Sequence, residues 1–125
     1  MALVLLIEDD SEISSCVSAA LIERGHEVSC LADARNAVEA IRTRPFNLLI
    51  TDIVMPDRDG IELLSELRAS GIFLPVLAMS GAVESSLYLR VARQLGATEV
   101  LFKPFLPREL VAAVDRLLKQ APAPC

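Results

Sequence analysis

Short apolar runs alternate with longer stretches of mixed polarity along this chain of 125 residues. The runs at Leu3–Ile7 and at 48–50 are continuously apolar, which predicts strands buried on both faces. Residues 27–31 roughly alternate between polar and apolar side chains, which is typical of an edge strand. Two further strands are predicted over residues 73–79 and 99–102.

The stretches between these strands follow a helical period. The clearest apolar stripe follows Asp10 and Ser11, either of which can cap the helix, and it consists of Ile13, Cys16, Val17, Ala20 and Leu21. A second helix is predicted to start from a cap at Asp33. A third begins at a capping box formed by Asp59 and Glu62 and ends at about residue 69. The fourth and fifth predicted helices cover residues 83–95 and 107–119.

Strands that alternate with helices predict an α/β protein, a (βα)5 doubly wound parallel sheet with helices on both faces. Right-handed crossovers leave few topologies. The alternating second strand suits an edge, and the apolar first and third strands suit the centre, so the expected strand order is 2-1-3-4-5, as in flavodoxin-like folds. In such a sheet a ligand binds beyond the carboxyl ends of the strands, between the first and the third.

Composition narrows the classes of function. The formal charge is −5, from 12 basic and 17 acidic residues, and this sign repels nucleic-acid phosphates. The three cysteines, Cys16, Cys30 and Cys125, lack metal-ligand spacing, and a single histidine makes a zinc site or a catalytic triad improbable. No stretch reaches the roughly 18 apolar residues of a membrane helix. We therefore expect a cytoplasmic protein with reduced thiols and no membrane contact.

Polar residues stand at the ends of four predicted strands. They are Glu8-Asp9-Asp10, Asp52, Ser80-Gly81 and Lys103-Pro104. Each has a plain alternative interpretation, since acids and serine cap helices and a lysine can extend to solvent. Their convergence on one edge of one sheet favours a site instead.

The charges of these residues suggest what the site binds. Two carboxylates about 5 Å apart repel by about 3 kcal/mol at an effective dielectric of 20, so Glu8, Asp9 and Asp52 need a cation when they cluster. Lys103 supplies one charge and a divalent metal could supply two. Hard carboxylate oxygens suit Mg²⁺, which keeps waters and accepts phosphate oxygens. Metal, lysine and hydroxyl together suit a phosphoryl group, with a carboxylate as the nucleophile that forms an acyl phosphate.

Four motifs at these spacings resemble the CheY-like receiver domain of bacterial two-component response regulators. They are residues 4–10 (VLLIEDD), 49–56 (LITDIVMP) with Asp59-Gly60, 78–81 (AMSG) and 101–105 (LFKPF). The resemblance implies a receiver domain over residues 1–120, followed by an Ala/Pro-rich tail or the start of a linker over residues 121–125.

The resemblance also assigns roles to residues. It implies that Asp52 is the phosphoacceptor, that Glu8 and Asp9 organise Mg²⁺ with Asp52, and that the main-chain carbonyl of Val54 is a further ligand. The residues expected to surround the phosphoryl group are Ser80, Gly81 and Lys103, with a cis bond from Lys103 to Pro104. Asp10, Asp57 and Asp59 are interpreted as caps and turn residues only.

One position departs from the family pattern. Receivers often carry Tyr or Phe three residues before the lysine, and this ring moves inward on activation, whereas here the residue is Val100. Val100 is short and stiff. We therefore expect the response to be carried by the loop after Ser80 and by the following helix, with a partner face at Leu87, Tyr88 and Leu89.

The implied function is a phosphorylatable switch in two-component signal transduction, not an enzyme in the usual sense, although it catalyses its own phosphotransfer and dephosphorylation. The implied donor is a histidine kinase or a histidine phosphotransfer protein, and an output protein or domain is a possible further partner. The alternative is a pseudo-receiver that acts only as an interaction module. A phosphatase is disfavoured because Val54 stands where such enzymes carry a second Asp, and a flavin carrier because the acids would repel its phosphate.

Overall fold

The computed structural model describes residues 2–53, 60–81, 90, 93, 94 and 96–120. Its elements are β1 (Leu3–Ile7), α1 (Ser11–Glu23), β2 (Glu27–Leu31), α2 (Ala37–Thr43), β3 (Leu48–Asp52), α3 (Gly60–Ala69), β4 (Val76–Ser80), β5 (Glu99–Phe102) and α4 (Pro107–Gln120). Residues 90, 93 and 94 are helical. The other residues of the helix predicted over 83–95 lie outside the described residues.

The five strands form one parallel sheet in the order β2-β1-β3-β4-β5, which confirms the predicted topology. Strand β2 lies at an edge, and its side chains are only partly buried. Strands β3 and β4 are buried along their whole length. Because all strands are parallel, their carboxyl ends meet at one edge, where β1 and β3 are direct neighbours.

Two aliphatic cores lie on opposite faces of the sheet. Alternate residues of β1 point to opposite faces, so Leu5 packs in one core and Leu6 in the other. Helices α2 and α3 cover the first core, and α1 and α4 cover the second. Each fully buried leucine stabilises the fold by about 1.5–3 kcal/mol. None of the helices in the described part of the chain is long and apolar enough to cross a membrane.

Helix α2 starts later than its predicted cap. Asp33 does not cap it, because its carboxylate accepts hydrogen bonds from the main-chain N–H of Arg35 (2.9 Å) and from the Arg35 guanidinium. The helix begins at Ala37, and Asn36, at its N-cap, makes no side-chain capping bond. Helix α1 instead follows the prediction, with Asp10 as its cap.

Strand β4 begins at Val76 rather than at residue 73. Pro75 has no N–H to donate to a neighbouring strand, although its carbonyl accepts from the N–H of Leu49 (3.0 Å). Phe73, which was predicted to lie in this strand, is 82% exposed. Proline therefore marks the point where the loop ends and regular pairing starts.

Candidate functional site

The residues predicted at the strand ends do come together at the carboxyl edge of the sheet. Glu8 directly follows β1, Asp52 ends β3, Ser80 ends β4 and Lys103 directly follows β5. Glu8, Asp52 and Ser80 are all buried, with at most 6% of each residue exposed. Three polar side chains that are buried so deeply at one edge need partners among themselves or a ligand.

Three carboxylates form a cluster at this edge. One oxygen each of Glu8, Asp9 and Asp52 lies within 4.8 Å of the other two. Glu8 and Asp52 are buried, while Asp9 faces solvent. This is an all-oxygen donor set with one side open to water, which fits a hard divalent cation that retains part of its hydration shell.

Lys103 bridges two of the acids. Its Nζ donates to Glu8 Oε1 at 2.6 Å and to Asp52 Oδ2 at 3.0 Å. Burial of the ammonium opposes ionisation, but the hydrogen bonds and attraction to the two carboxylates outweigh it and raise the pKa of Lys103. The lysine is therefore a fixed positive charge at the centre of the site and does not extend to solvent, since its side chain is only 16% exposed.

Glu8 is held from two sides. Its Oε1 accepts from Lys103, and its Oε2 accepts from the main-chain N–H of Asp10 at 3.3 Å. Burial, together with the charge of Asp52, raises the pKa of Glu8 to about 7, although Lys103 acts in the opposite direction. Without a metal, ionisation of Glu8 is therefore unfavourable, because the attraction of Lys103 offsets only part of the desolvation cost of the buried carboxylate.

The Ser80 hydroxyl has no hydrogen-bond partner among the described residues, although it is buried. A buried hydroxyl without a hydrogen-bond partner destabilises the fold by about 1–3 kcal/mol. A ligand group that accepts a hydrogen bond from Ser80 would remove this cost. Ser80 also holds the β5 end in place, since its carbonyl accepts from the N–H of Lys103 at 3.0 Å.

Gly81 is required by its contact with Lys103. A Cβ added to Gly81 would lie 2.9 Å from the Cβ of Lys103, which is closer than real Cβ atoms approach. The structure thus adds a packing reason to the prediction that a small residue stands here. The peptide bond from Lys103 to Pro104 is cis, as expected from the resemblance.

Val100 lies on β5 opposite Ala78 of β4. It is partly buried and packs against the core covered by α2 and α3. Several predicted positions lie outside the described residues, so their roles remain predictions: the carbonyl of Val54, the turn residues Asp57 and Asp59, and the partner face Leu87, Tyr88 and Leu89.

Two contacts were not predicted from the sequence. The buried Thr51 hydroxyl donates to the main-chain carbonyl of Asp52 at 3.0 Å, and the Asp10 N–H donates to Glu8. Thr51 is the only residue between the apolar run of β3 and Asp52. This position next to Asp52 is the only feature of the sequence that points to a contact between the two residues. The Asp10 contact uses a main-chain donor, which leaves no trace in residue type.

An apolar groove opens beside the acidic cluster. It has a volume of about 320 Å³ and runs between α1 and the segment that follows β5. Gly81 and Lys103 line it together with Ile13, Cys16, Val17, Pro104 and Phe105. Cys16 and Cys30 are both exposed and form no disulfide among the described residues. The groove therefore places apolar surface directly next to the charged site.

Comparisons with known proteins agree with this geometry. The profile of the family described as "Response regulator receiver domain" matches residues 4–115. Transcriptional regulatory protein TcrA of Mycobacterium tuberculosis is 32% identical over 97% of this chain, and the match covers 47% of TcrA. Response regulator protein FleR of Pseudomonas aeruginosa is 38% identical over 92% of this chain and 24% of its own length. The chain thus spans about half, or less, of these relatives.

Solved structures extend the comparison to the whole fold. Chemotaxis response regulator CheY4 of Vibrio cholerae superposes with a TM-score of 0.85 at 31% identity, over 94% of this chain and 98% of CheY4. The receiver domain of NtrX from Brucella abortus gives a TM-score of 0.86 at 30% identity, over 94% of this chain and 98% of its own.

Proposed function

This chain belongs to the response regulator receiver domain family, and we propose that it is a phosphoacceptor switch whose Asp52 receives a phosphoryl group from a phosphohistidine. The family is regulatory and belongs to two-component systems. The observation that carries the proposal is the contact of the buried carboxylate of Asp52 with the partly buried ammonium of Lys103. Beside them lies the buried hydroxyl of Ser80, which has no hydrogen-bond partner in the described part of the chain.

The residues divide the chemistry among themselves. A carboxylate oxygen of Asp52 attacks phosphorus, the P–N bond of the phosphohistidine breaks, and its electron pair returns to the imidazole nitrogen, which leaves an acyl phosphate on Asp52. Lys103 neutralises charge on the phosphoryl oxygens. The Ser80 hydroxyl donates a hydrogen bond to one of these oxygens and thereby gains the partner that it lacks among the described residues.

Magnesium fits the same residues. Glu8, Asp9 and Asp52 would hold the ion, with the main-chain carbonyl of Val54 as a further ligand, and the solvent-facing side of Asp9 leaves room for waters. When bound, the ion would supply two positive charges against the developing charge on the phosphoryl oxygens. The donor set consists of oxygen atoms only, which disfavours softer metals.

We propose that the donor is a protein, either a histidine kinase or a histidine phosphotransfer protein. The apolar groove lined by Cys16 and Phe105 supports this, because it offers a protein donor surface to bury directly beside Lys103. We further propose a receiver domain over residues 1–120 and a linker or tail over 121–125. A downstream output protein or domain would then read the phosphorylated state.

We propose that this state is transmitted without a ring at position 100. Val100 packs against the core. Its side chain is short and stiff, so it cannot swing into the space near Ser80 as a ring would. The loop after Ser80 and the face formed by Leu87, Tyr88 and Leu89 would carry the response. Comparison of methyl rotamers with and without beryllofluoride tests this, and a rotamer change of Val100 would contradict it.

The central experiment is phosphorylation with acetyl phosphate and Mg²⁺. We expect one alkali-labile phosphoryl group on the wild type, none on Asp52→Asn, and the full amount on Asp115→Asn, which removes an acid on α4 that pairs with Arg24 (2.8 Å) and not with Lys103. An alkali-stable product at Ser80 would overturn the mechanism. No product on the wild type, with beryllofluoride also failing to bind, would favour the pseudo-receiver alternative.

A further inference from the structure

Glu8 lies at the junction between the acidic cluster and the start of helix α1. Its side chain is fully buried, and each carboxylate oxygen has a different partner. Oε1 accepts from Lys103 Nζ at 2.6 Å, and Oε2 accepts from the main-chain N–H of Asp10 at 3.3 Å. The orientation of this carboxylate therefore depends on where the peptide group of Asp10 lies.

The side chain of Asp10 fixes that peptide group. Its Oδ1 accepts from the N–H of Glu12 (2.9 Å) and from the N–H of Ile13 (3.3 Å), while its own carbonyl accepts from the N–H of Ser14 (2.9 Å). The backbone at Asp10 is extended, with φ −83° and ψ 113°, as an N-cap requires. Three bonds to the first turn of α1 thus hold the residue whose N–H reaches Glu8.

We propose that Asp10 is a positioning residue for the acidic cluster: by capping α1 it holds its own N–H on Glu8 and so keeps the Glu8 carboxylate directed at Lys103. The inference rests on the proposed function, because its consequence is a well-oriented Mg²⁺ site. Residues that orient metal ligands in this way typically change metal affinity by 10-fold to 100-fold when they are replaced.

A competing explanation is the charge of Asp10. Its carboxylate is exposed and close in sequence to Glu8 and Asp9, so it could attract a cation without positioning anything. The two explanations separate by substitution. Asn and Ser remove the charge but retain an oxygen that caps a helix, whereas Ala removes both. Glu12→Ala is the matched control, because it removes a charge from the same turn and leaves the cap in place.

The test measures Mg²⁺ affinity by NMR titration of the full chain. We expect Asp10→Ala to weaken binding about 10-fold, and Asp10→Asn, Asp10→Ser and Glu12→Ala to stay within about two-fold of the wild type. Asp10→Gly replaces Asp10→Ala if the latter does not fold, because glycine at an N-cap costs only a few tenths of a kcal/mol. Equal losses in the Ala, Asn and Ser variants, or an unchanged affinity in Asp10→Ala, would overturn the inference.

A second readout needs no metal. In the metal-free protein we expect amide hydrogen exchange at position 10 to be slow in the wild type and in Asp10→Asn, and about 10-fold faster in Asp10→Ala and in Glu8→Ala, which removes the acceptor. Unchanged exchange in both Ala variants would refute the positioning role even if Mg²⁺ binds. If the wild type binds no Mg²⁺ but shows the expected exchange pattern, the proposed function fails and the positioning contact stands.

Discussion

Replacement of Lys103 by Met tests how the charged cluster is stabilised. Met retains the apolar stem and the approximate volume of lysine but removes the ammonium. The change leaves Glu8, which is fully buried, and Asp52, whose side chain is 8% exposed, without the cation that bridges them. We expect the metal-free variant to fold with a much reduced free energy of unfolding above neutral pH.

The magnitude follows from the two contacts. At 2.6 and 3.0 Å, each ion pair attracts by about 6 kcal/mol at an effective dielectric of 20. Desolvation of the buried ions offsets much of this, and removal of one partner from a buried pair typically costs about 3–5 kcal/mol. We take this range as the expected loss for Lys103→Met at pH 8, where Glu8 of the wild type, with a pKa of about 7, is mostly ionised beside Lys103. Because Lys103 lowers the pKa of Glu8, its removal raises that pKa further, and the cost of protonating Glu8 in the variant is part of the loss.

Lower pH should reduce the loss. A carboxyl whose pKa is raised on folding binds more protons in the native state than in the unfolded state between its two pKa values, so ionisation of Glu8 destabilises the fold as the pH rises from 4.5 through 7. At pH 5 Glu8 is largely protonated, so removal of the Lys103 ammonium then leaves no ionised Glu8 without its cation. The difference between wild type and Lys103→Met should therefore shrink at pH 5.

Urea unfolding in EDTA, at pH 5 and at pH 8, measures these differences. Lys119→Met is the matched control, because Lys119 is the only other lysine of the chain and lies exposed near the end of α4. It should change the free energy of unfolding by less than about 0.5 kcal/mol. A loss in Lys103→Met below about 1 kcal/mol at pH 8, or a larger loss at pH 5, would refute the argument that Lys103 compensates buried charge.

Three further outcomes are expected. Ser80→Ala should leave the free energy of urea unfolding unchanged or raise it by up to about 1 kcal/mol, because a buried hydroxyl without a partner among the described residues disappears. The same variant should bind beryllofluoride about tenfold more weakly, whereas Ser80→Thr, which keeps a hydroxyl, should bind it as the wild type does. Gly81→Ala should destabilise by about 1–3 kcal/mol, because its Cβ would collide with Lys103; a neutral result would contradict this packing. Burial lowers the pKa of His26, so this group acts opposite to Glu8 and lowers the free energy of unfolding as the pH drops below 6.5. In the same assay the wild type should therefore lose stability below pH 6.5 relative to His26→Asn, which retains an acceptor for the Ala2 N–H; a difference between the two that does not change with pH would contradict this.

Much of the fold could be predicted because its main determinants are local. The apolar run of β1 expresses a strong constraint in a few residues. The start of β4 was predicted at residue 73 and was wrong, because Pro75 cannot donate to a neighbouring strand and regular pairing begins only at Val76. The start of α2 could not be predicted in the same way. Asp33 and Asn36 both have side chains that favour N-caps, and the choice between them depends on Arg35, whose guanidinium engages Asp33.

The candidate site shows a similar division. Residue types at the strand ends indicated which groups meet, because parallel strands bring their carboxyl ends to one edge. Contacts through the main chain, such as the Asp10 N–H on Glu8 and the Asp52 carbonyl that accepts from Thr51, are invisible in residue type. The close approach of Lys103, which excludes a Cβ at position 81, is likewise invisible in residue type.

The geometry also limits how a phosphoryl group on Asp52 can change the molecule. Asp52 and Ser80 end strands that are buried throughout, so the sheet itself has little freedom to respond. Ser80 is bonded covalently to Gly81 and through its carbonyl to the N–H of Lys103. If the main chain at Ser80 is drawn toward a phosphoryl group on Asp52, Gly81 must move past the stem of Lys103, and only a residue without a Cβ leaves that path open. In the proposed switch, such a shift would move Ser80, Gly81 and Lys103 together and would couple the charge on Asp52 to the apolar groove that Gly81 and Lys103 line.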